Sequence, residues 1–114
     1  MDNDIIAIKT SKGMRFIKMQ EILCCVAQGR YTKIFTTGGH VFLLTRVLKE
    51  IEDSLPYEDF FRTHKSFLIN LNHITSYHRN KDAPIILTNN MKIQLAKRRK
   101  QEFHHRIRKQ MKTF

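Results

Sequence analysis

Four polar side chains in one short stretch, Arg62, His64, Lys65 and Ser66, carry the chemistry this chain displays most openly. They lie within Phe60-Phe61-Arg62-Thr63-His64-Lys65-Ser66-Phe67-Leu68-Ile69-Asn70-Leu71-Asn72-His73-Ile74, with apolar runs on both sides. The apolar flanks anchor the backbone in a core, so the polar residues between them are expected on a short rigid turn facing outward. Fixed donors of this kind suit the reading of base edges in a DNA groove. Other roles for these side chains are open at this point. His64 can shape the loop by bonding to backbone, Ser66 and Asn70 are of types that readily order a turn, and Arg62 can pair with Glu58 or Asp59.

Catalytic patterns do not emerge. The four glycines stand at 13, 29, 38 and 39, without the spacing of a phosphate-cradling loop. Six histidines and two cysteines form neither a CxxC nor an HExxH arrangement. His104 and His105 are neighbours on a predicted helix, where adjacent positions diverge and cannot share one metal. Carboxylates, which a metal-dependent nuclease gathers, are few, ten in all, and three of them fall on one short helix. The chain therefore reads as no enzyme and calls for no cofactor.

Charge points the same way as the loop. At 114 residues and 41% hydrophobic, the chain suits one domain with a modest core. Its 21 lysines and arginines against 10 acids leave a formal charge of +11. Such an excess favours a polyanion, because each neutralised phosphate releases condensed counterions. Nucleic acid is the leading partner and an anionic membrane surface trails. No apolar run approaches the roughly 20 residues of a membrane span, and the start, Met1-Asp2-Asn3-Asp4, is acidic where a signal peptide is basic. A soluble, cytoplasmic protein is expected. The adjacent Cys24 and Cys25 point to opposite faces of a strand and are badly placed to bond to each other, which fits a reducing compartment and two small core residues.

The elements that must position the loop are mainly strands. Ile5 to Lys9 and Met14 to Met19 read as a hairpin about Ser11-Lys12-Gly13. Strands are expected at Glu21 to Ala27, Tyr31 to Thr36 and Val41 to Leu44, the last following the Gly38-Gly39 turn. Thr45 is placed to cap a short helix in which Val47, Leu48, Ile51 and Leu55 recur at helical spacing before Pro56. Ser66 to Asn70, Ile74 to His78, Ile85 to Thr88 and Met91 to Leu95 read as further strands, with Asn89-Asn90 as the turn between the last two. From Lys97, Phe103, Ile107 and Met111 fall four apart among Arg98, Lys100, Arg106, Arg108 and Lys109, the pattern of a basic amphipathic helix.

This order of segments resembles the LytTR domain, the DNA-binding module commonly carried at the C-terminal end of bacterial response regulators. The resemblance rests on Glu21-Ile22-Leu23, Gly29-Arg30-Tyr31-Thr32-Lys33-Ile34, Leu48-Lys49-Glu50-Ile51, Leu55-Pro56, the run from Phe60 to Asn70, and Ile93 to Lys100. The phenylalanine-arginine-x-histidine-x-serine run ending in asparagine is the specific part. Together these residues cover about 4–103, leaving 104–114 as a basic C-terminal tail or helix of a single domain spanning 1–114. The resemblance implies an elongated stack of small antiparallel sheets with one short helix, whose loops enter successive major grooves as a transcription regulator of a two-component system.

Carried onto this sequence, the family's first contacting loop is Gln28 to Lys33, its second is His64, Lys65 and Ser66, and its third is Ala96 to Arg99. Base contacts are expected from Lys65 and Arg98, with Thr32 and His64, because arginine and lysine reach the acceptors of guanine. Arg30, Tyr31, Lys33, Ser66, Lys97 and Arg99 are expected on the DNA backbone, fixing register without reading sequence. Lys97 stands where many members have serine, which leaves Arg98 and Arg99 as alternatives for the third-loop reader. Paired repeat sites and a side-by-side dimer on DNA are implied. An N-terminal receiver domain is implied if the chain is a fragment, and none if it is a free-standing binder. The rival reading is a small basic RNA-binding protein that stacks unpaired bases on exposed aromatics such as Tyr31 and Tyr77. A third is a module whose basic face binds an acidic protein.

Overall fold

The computed structural model describes residues 4–114. The first two strands, β1 (Ile5–Thr10) and β2 (Gly13–Lys18), form a hairpin in which Thr10 pairs with Gly13 around Ser11-Lys12. Gly13 takes φ +139°, a conformation closed to most side chains, which is why glycine ends this turn. There follow β3 (Ile22–Gln28), β4 (Tyr31–Thr36), β5 (Val41–Leu44), α1 (Leu48–Ser54), β6 (Phe60–His64), β7 (Phe67–Asn70), β8 (Ile74–Tyr77), β9 (Ile85–Leu87), β10 (Lys92–Ile93) and α2 (Lys100–Gln110). They make three antiparallel sheets: the hairpin, a central sheet in the order β5-β4-β3-β7-β6, and a small sheet in the order β10-β9-β8. The mainly β, stacked architecture expected from the sequence is the one found, with extents of 45 × 34 × 24 Å.

The central sheet divides the interior into two cores, and adjacent residues of β3 serve both. Cys25 packs with Ile8, Ile17, Ile34, Leu48, Ile51, Leu68 and Phe60, beneath the hairpin and α1. Cys24 packs on the other face with Phe61, Ile69, Ile85, Leu87, Ile93 and Phe103, beneath the small sheet and α2. Both cysteines are free and fully buried. A register shift between Ile22 and Cys24 inserts Leu23 as an extra residue, so Ile22 joins the core of Cys25 rather than that of Cys24. Simple alternation would have put Ile22 and Cys24 on one face, and the bulge reverses this.

Several elements depart from expectation. Thr45 does not cap α1; the cap position is Val47, without a side-chain bond, and Val47 is exposed while Leu48, Ile51 and Leu55 are buried. Phe60–His64, expected to lead into a polar loop, is an edge strand paired with β7, so only Lys65 and Ser66 lie outside strands. The strand expected over Met91 to Leu95 is confined to Lys92–Ile93. Helix α2 begins at Lys100, after a 3-10 turn over Lys97–Arg99.

The helix is basic but not basic all round. Phe103 is buried against Phe61 and Tyr77, with ring centroids 5.7 and 5.4 Å apart. Arg106, expected on the solvated basic surface, is 4% exposed. Its guanidinium reaches the carbonyl oxygens of Tyr57, Glu58 and Phe60, donates to Gln110 at 2.8 Å, and lies 4.3 Å from the ring centroid of Tyr57. A buried charge needs such acceptors, and here they are the carbonyls of the segment between α1 and β6.

Candidate nucleic-acid interface

The three sequence-expected loops lie at one end of the central sheet, and backbone hydrogen bonds join them. The first is the two-residue turn Gly29-Arg30 between β3 and β4, where Gln28 pairs with Tyr31. Gly29 adopts φ +62° there, the left-handed conformation that a tight turn uses and glycine tolerates. Because β3 also pairs with β7, the Lys65-Ser66 turn is its neighbour, and Ala27 donates its N–H to the carbonyl of Ser66 at 2.8 Å. The third loop arrives from the small sheet. Ala96 donates its N–H to the carbonyl of Thr63 at 2.8 Å, and Arg99 Nε donates to the carbonyl of Arg62 at 2.9 Å.

The second turn is built from inside. His64 Nδ1 accepts the backbone N–H of Ser66 at 3.1 Å, which leaves Nε2 to carry the proton of the neutral ring. Its ring stands 5.5 Å from that of Phe67. Arg62 is not displayed on the turn and does not pair with Glu58 or Asp59. Its Nε donates to the carbonyl of His64 at 3.0 Å, Nη2 to that of Lys65 at 2.6 Å, and Nη1 to Glu52 Oε1 at 2.8 Å. A register shift between Arg62 and His64 makes Thr63 the extra residue of a bulge, and its buried hydroxyl has no partner among the described residues. Asn70, expected to order the loop, donates Nδ2 to the carbonyl of Ile22 at 3.0 Å and accepts from Asn72 N–H at 2.9 Å.

The candidate residues fall into two groups. Arg30, Tyr31, Lys65, Lys97 and Arg98 are exposed, and Lys33, His64 and Ser66 are half-buried. Among the described residues the ion pairs are Arg46–Glu50, Lys49–Asp53 and Arg62–Glu52, so no carboxylate neutralises Arg30, Lys33, Lys65, Lys97 or Arg98. Thr32 is different. It is fully buried and its hydroxyl donates to the carbonyl of Arg46 at 2.7 Å, so the base contact expected of it gives way to a bond inside the fold. Arg99 is likewise engaged, its guanidinium 4.5 Å above the ring of Phe61.

Sequence reading singled out Arg62 but missed its bonds inside the turn, and it missed Glu52 and the Thr63 carbonyl as parts of this site. Arginine two residues before histidine in a half-apolar run is the only local signal for the first. The other two depend on contacts between distant segments. Tyr77, a candidate stacking surface for RNA, is instead packed against Phe103 and His104. Among the described residues no three metal-ligating side chains come together, and no helix is long and apolar enough to cross a membrane.

The chain is thus a small three-sheet domain that presents cations on linked loops, with no ion pair to them among the described residues. The LytTr DNA-binding domain matches residues 12–108, and the chain belongs to that family. It is 35% identical over 75 residues to the transcriptional regulatory protein NatR of Bacillus subtilis, a match that takes in 66% of this chain and 32% of NatR. The chain thus spans about a third of the length of that relative. It also resembles the solved LytTr DNA-binding domain of a putative methyl-accepting/DNA response regulator from Bacillus cereus, with a TM-score of 0.80 at 19% identity over 93% of this chain and 98% of that one. That likeness establishes the shared fold.

Proposed function

We propose that this DNA-binding domain recognises specific duplex sequences as part of a cytoplasmic bacterial transcription regulator, placing its loops in successive major grooves. The observation that carries the reading is the linkage of the three loops at one end of the central sheet, through Ala27 to Ser66 and Ala96 to Thr63, with cations that no carboxylate among the described residues neutralises. A linked set of loops holds donors at fixed spacing, as base readout requires.

Lys65 and Arg98 then read base edges, with His64 Nε2 as a further donor. Arg30, Lys33 and Lys97, together with the Tyr31 and Ser66 hydroxyls, grip phosphates. Arg99 contributes its charge near the backbone while its bonds hold the third loop. Two copies sit side by side on paired repeats, and bending of the duplex brings more phosphates within reach. If the chain is a fragment of a response regulator, an N-terminal receiver domain would govern occupancy; a free-standing binder would have none.

Fluorescence anisotropy with a duplex selected from a random pool, its scramble and single-stranded RNA, each at several salt concentrations, tests this. A preference of ~10³ or more for the selected duplex, persisting as salt rises, is the expected result. Equal duplex binding that collapses with salt, or preference for RNA, would overturn it.

A further inference from the structure

We propose that Arg62 is a positioning residue for sequence readout, a node that fixes the Lys65-Ser66 turn and the third loop to helix α1 without itself touching DNA. The proposal rests on the reading of these loops as the DNA-contacting surface.

The geometry is that of a fork with every tine occupied. Three separate nitrogens of one guanidinium meet three separate acceptors: the carbonyls of His64 and Lys65, which belong to the turn, and Glu52 Oε1, which belongs to α1. The backbone of the same residue supplies a fourth connection, since its carbonyl accepts Arg99 Nε from the third loop. Arg62 therefore touches two of the three loops and the helix that packs under the central sheet. Its ion pair with Glu52 is also better shielded than the others, with side chains 23% and 31% exposed against 67% and 54% for Arg46–Glu50.

Arginine chemistry explains the choice. A planar guanidinium presents its donors in a rigid fork, whereas a lysine ammonium places all three hydrogens on one atom and cannot span acceptors set apart from one another. With its carbonyls held, the turn keeps Lys65 in one presentation before DNA arrives. A turn free to rearrange would still be cationic and would still attract phosphate. It would lose the constraint on which base edge its donor meets, so selectivity should suffer and non-specific attraction should not.

The test measures binding to a selected duplex and its scramble across salt, together with thermal melting, for Arg62→Lys, Glu52→Ala, Glu52→Gln, Arg62→Glu and the exchange of Arg62→Glu with Glu52→Arg. Arg62→Lys is expected to reduce the preference for the selected duplex by about tenfold, the scale of one base contact, with scramble affinity and salt slope unchanged. Glu52→Ala should reduce the preference in the same direction, and Glu52→Gln, which keeps an acceptor oxygen, should not. The exchange restores the ion pair but neither carbonyl bond, so melting should recover relative to Arg62→Glu while preference stays low.

Full preference in both Arg62→Lys and Glu52→Ala would overturn the proposal. So would recovery of preference in the exchange, which would make the ion pair sufficient, or a salt slope about one unit shallower in Arg62→Lys, which would place Arg62 on a phosphate. If Arg62→Lys fails to fold, Glu52→Ala decides the matter, since it alters only the helix-side anchor. Absence of any preference in the unsubstituted chain would instead sink the DNA reading itself, before a substitution is made.

Discussion

Arg99 stands over the ring of Phe61 with its guanidinium carbon 4.5 Å from the ring centroid, while its neighbour Arg98 is exposed. The two arginines follow one another in a short 3-10 turn, where successive side chains diverge by about a third of a turn. One is therefore spent on holding the third loop to β6, and the other remains available to a ligand.

That division predicts opposite phenotypes. Arg98→Ala should cost roughly 1–3 kcal/mol on a selected duplex, relax preference at one base pair and leave melting unchanged. Arg99→Ala should remove a hydrogen bond and a cation–π contact, lowering stability by roughly 1–2 kcal/mol. Anisotropy and thermal melts on the pair separate the roles; equal loss of specific and random DNA binding in Arg98→Ala would remove its claim to read bases.

Lys33, half-buried on β4 beside the first turn, is expected to act on phosphate alone. Lys33→Ala should weaken selected and scrambled duplexes about equally and flatten the salt slope by about one unit. A titration series in salt measures both quantities, and a loss confined to the selected duplex would make Lys33 a base reader.

Thr32 carries a prediction of stability rather than binding. Thr32→Val keeps the shape of a fully buried side chain but removes the donor to the Arg46 carbonyl. A loss of about 1 kcal/mol in denaturant unfolding is expected, with the duplex preference retained. A collapse of preference in a well-folded Thr32→Val would return this hydroxyl to the DNA-contacting set.

What the sequence made legible was local. The hairpin about Ser11-Lys12 and the opposed faces of Cys24 and Cys25 follow from period-two patterning and turn residues, the turn between β9 and β10 was placed correctly although it takes in Thr88 as well as Asn89 and Asn90, and the specific run from Phe60 to Asn70 led to the family. The misreadings came where local pattern and structure part company. The bulge at Thr63 interrupts alternation, so β6 read as the approach to a loop. Arg106 counts as polar in any periodicity, although it lies three residues after Phe103 on the same inward face. The pairing of β3 with β7, and the docking of the third loop on β6, join segments far apart in the chain and leave no short-range signature.

Arg106 should behave as a core residue. Arg106→Met fits the aliphatic part of the site but strips the donors from the carbonyls of Tyr57, Glu58 and Phe60. The expected cost is about 2–4 kcal/mol, read as a fall in melting temperature of roughly 10 °C or more. Well below that transition, the preference for a selected duplex should persist. Unchanged melting would show that water replaces the guanidinium at those carbonyls without loss.

The two cysteines should be silent in the folded protein and should limit its alkaline stability. Burial pushes the Cys24 thiol from the ordinary 9.0 up to about 12, and burial together with the neighbouring Cys24 pushes Cys25 up as well. The thiolate is the reactive form, so a disulfide reagent at neutral pH should react with neither thiol until denaturant is added. The linkage has a definite sign. Above about pH 9 the unfolded thiols release protons that the folded ones retain, so the unfolded state binds fewer protons and stability falls as pH rises toward 12. Denaturant unfolding across this range should show that decline, and Cys24→Ser with Cys25→Ala should reduce its slope. A decline of the same slope in the doubly substituted protein would assign it to other groups.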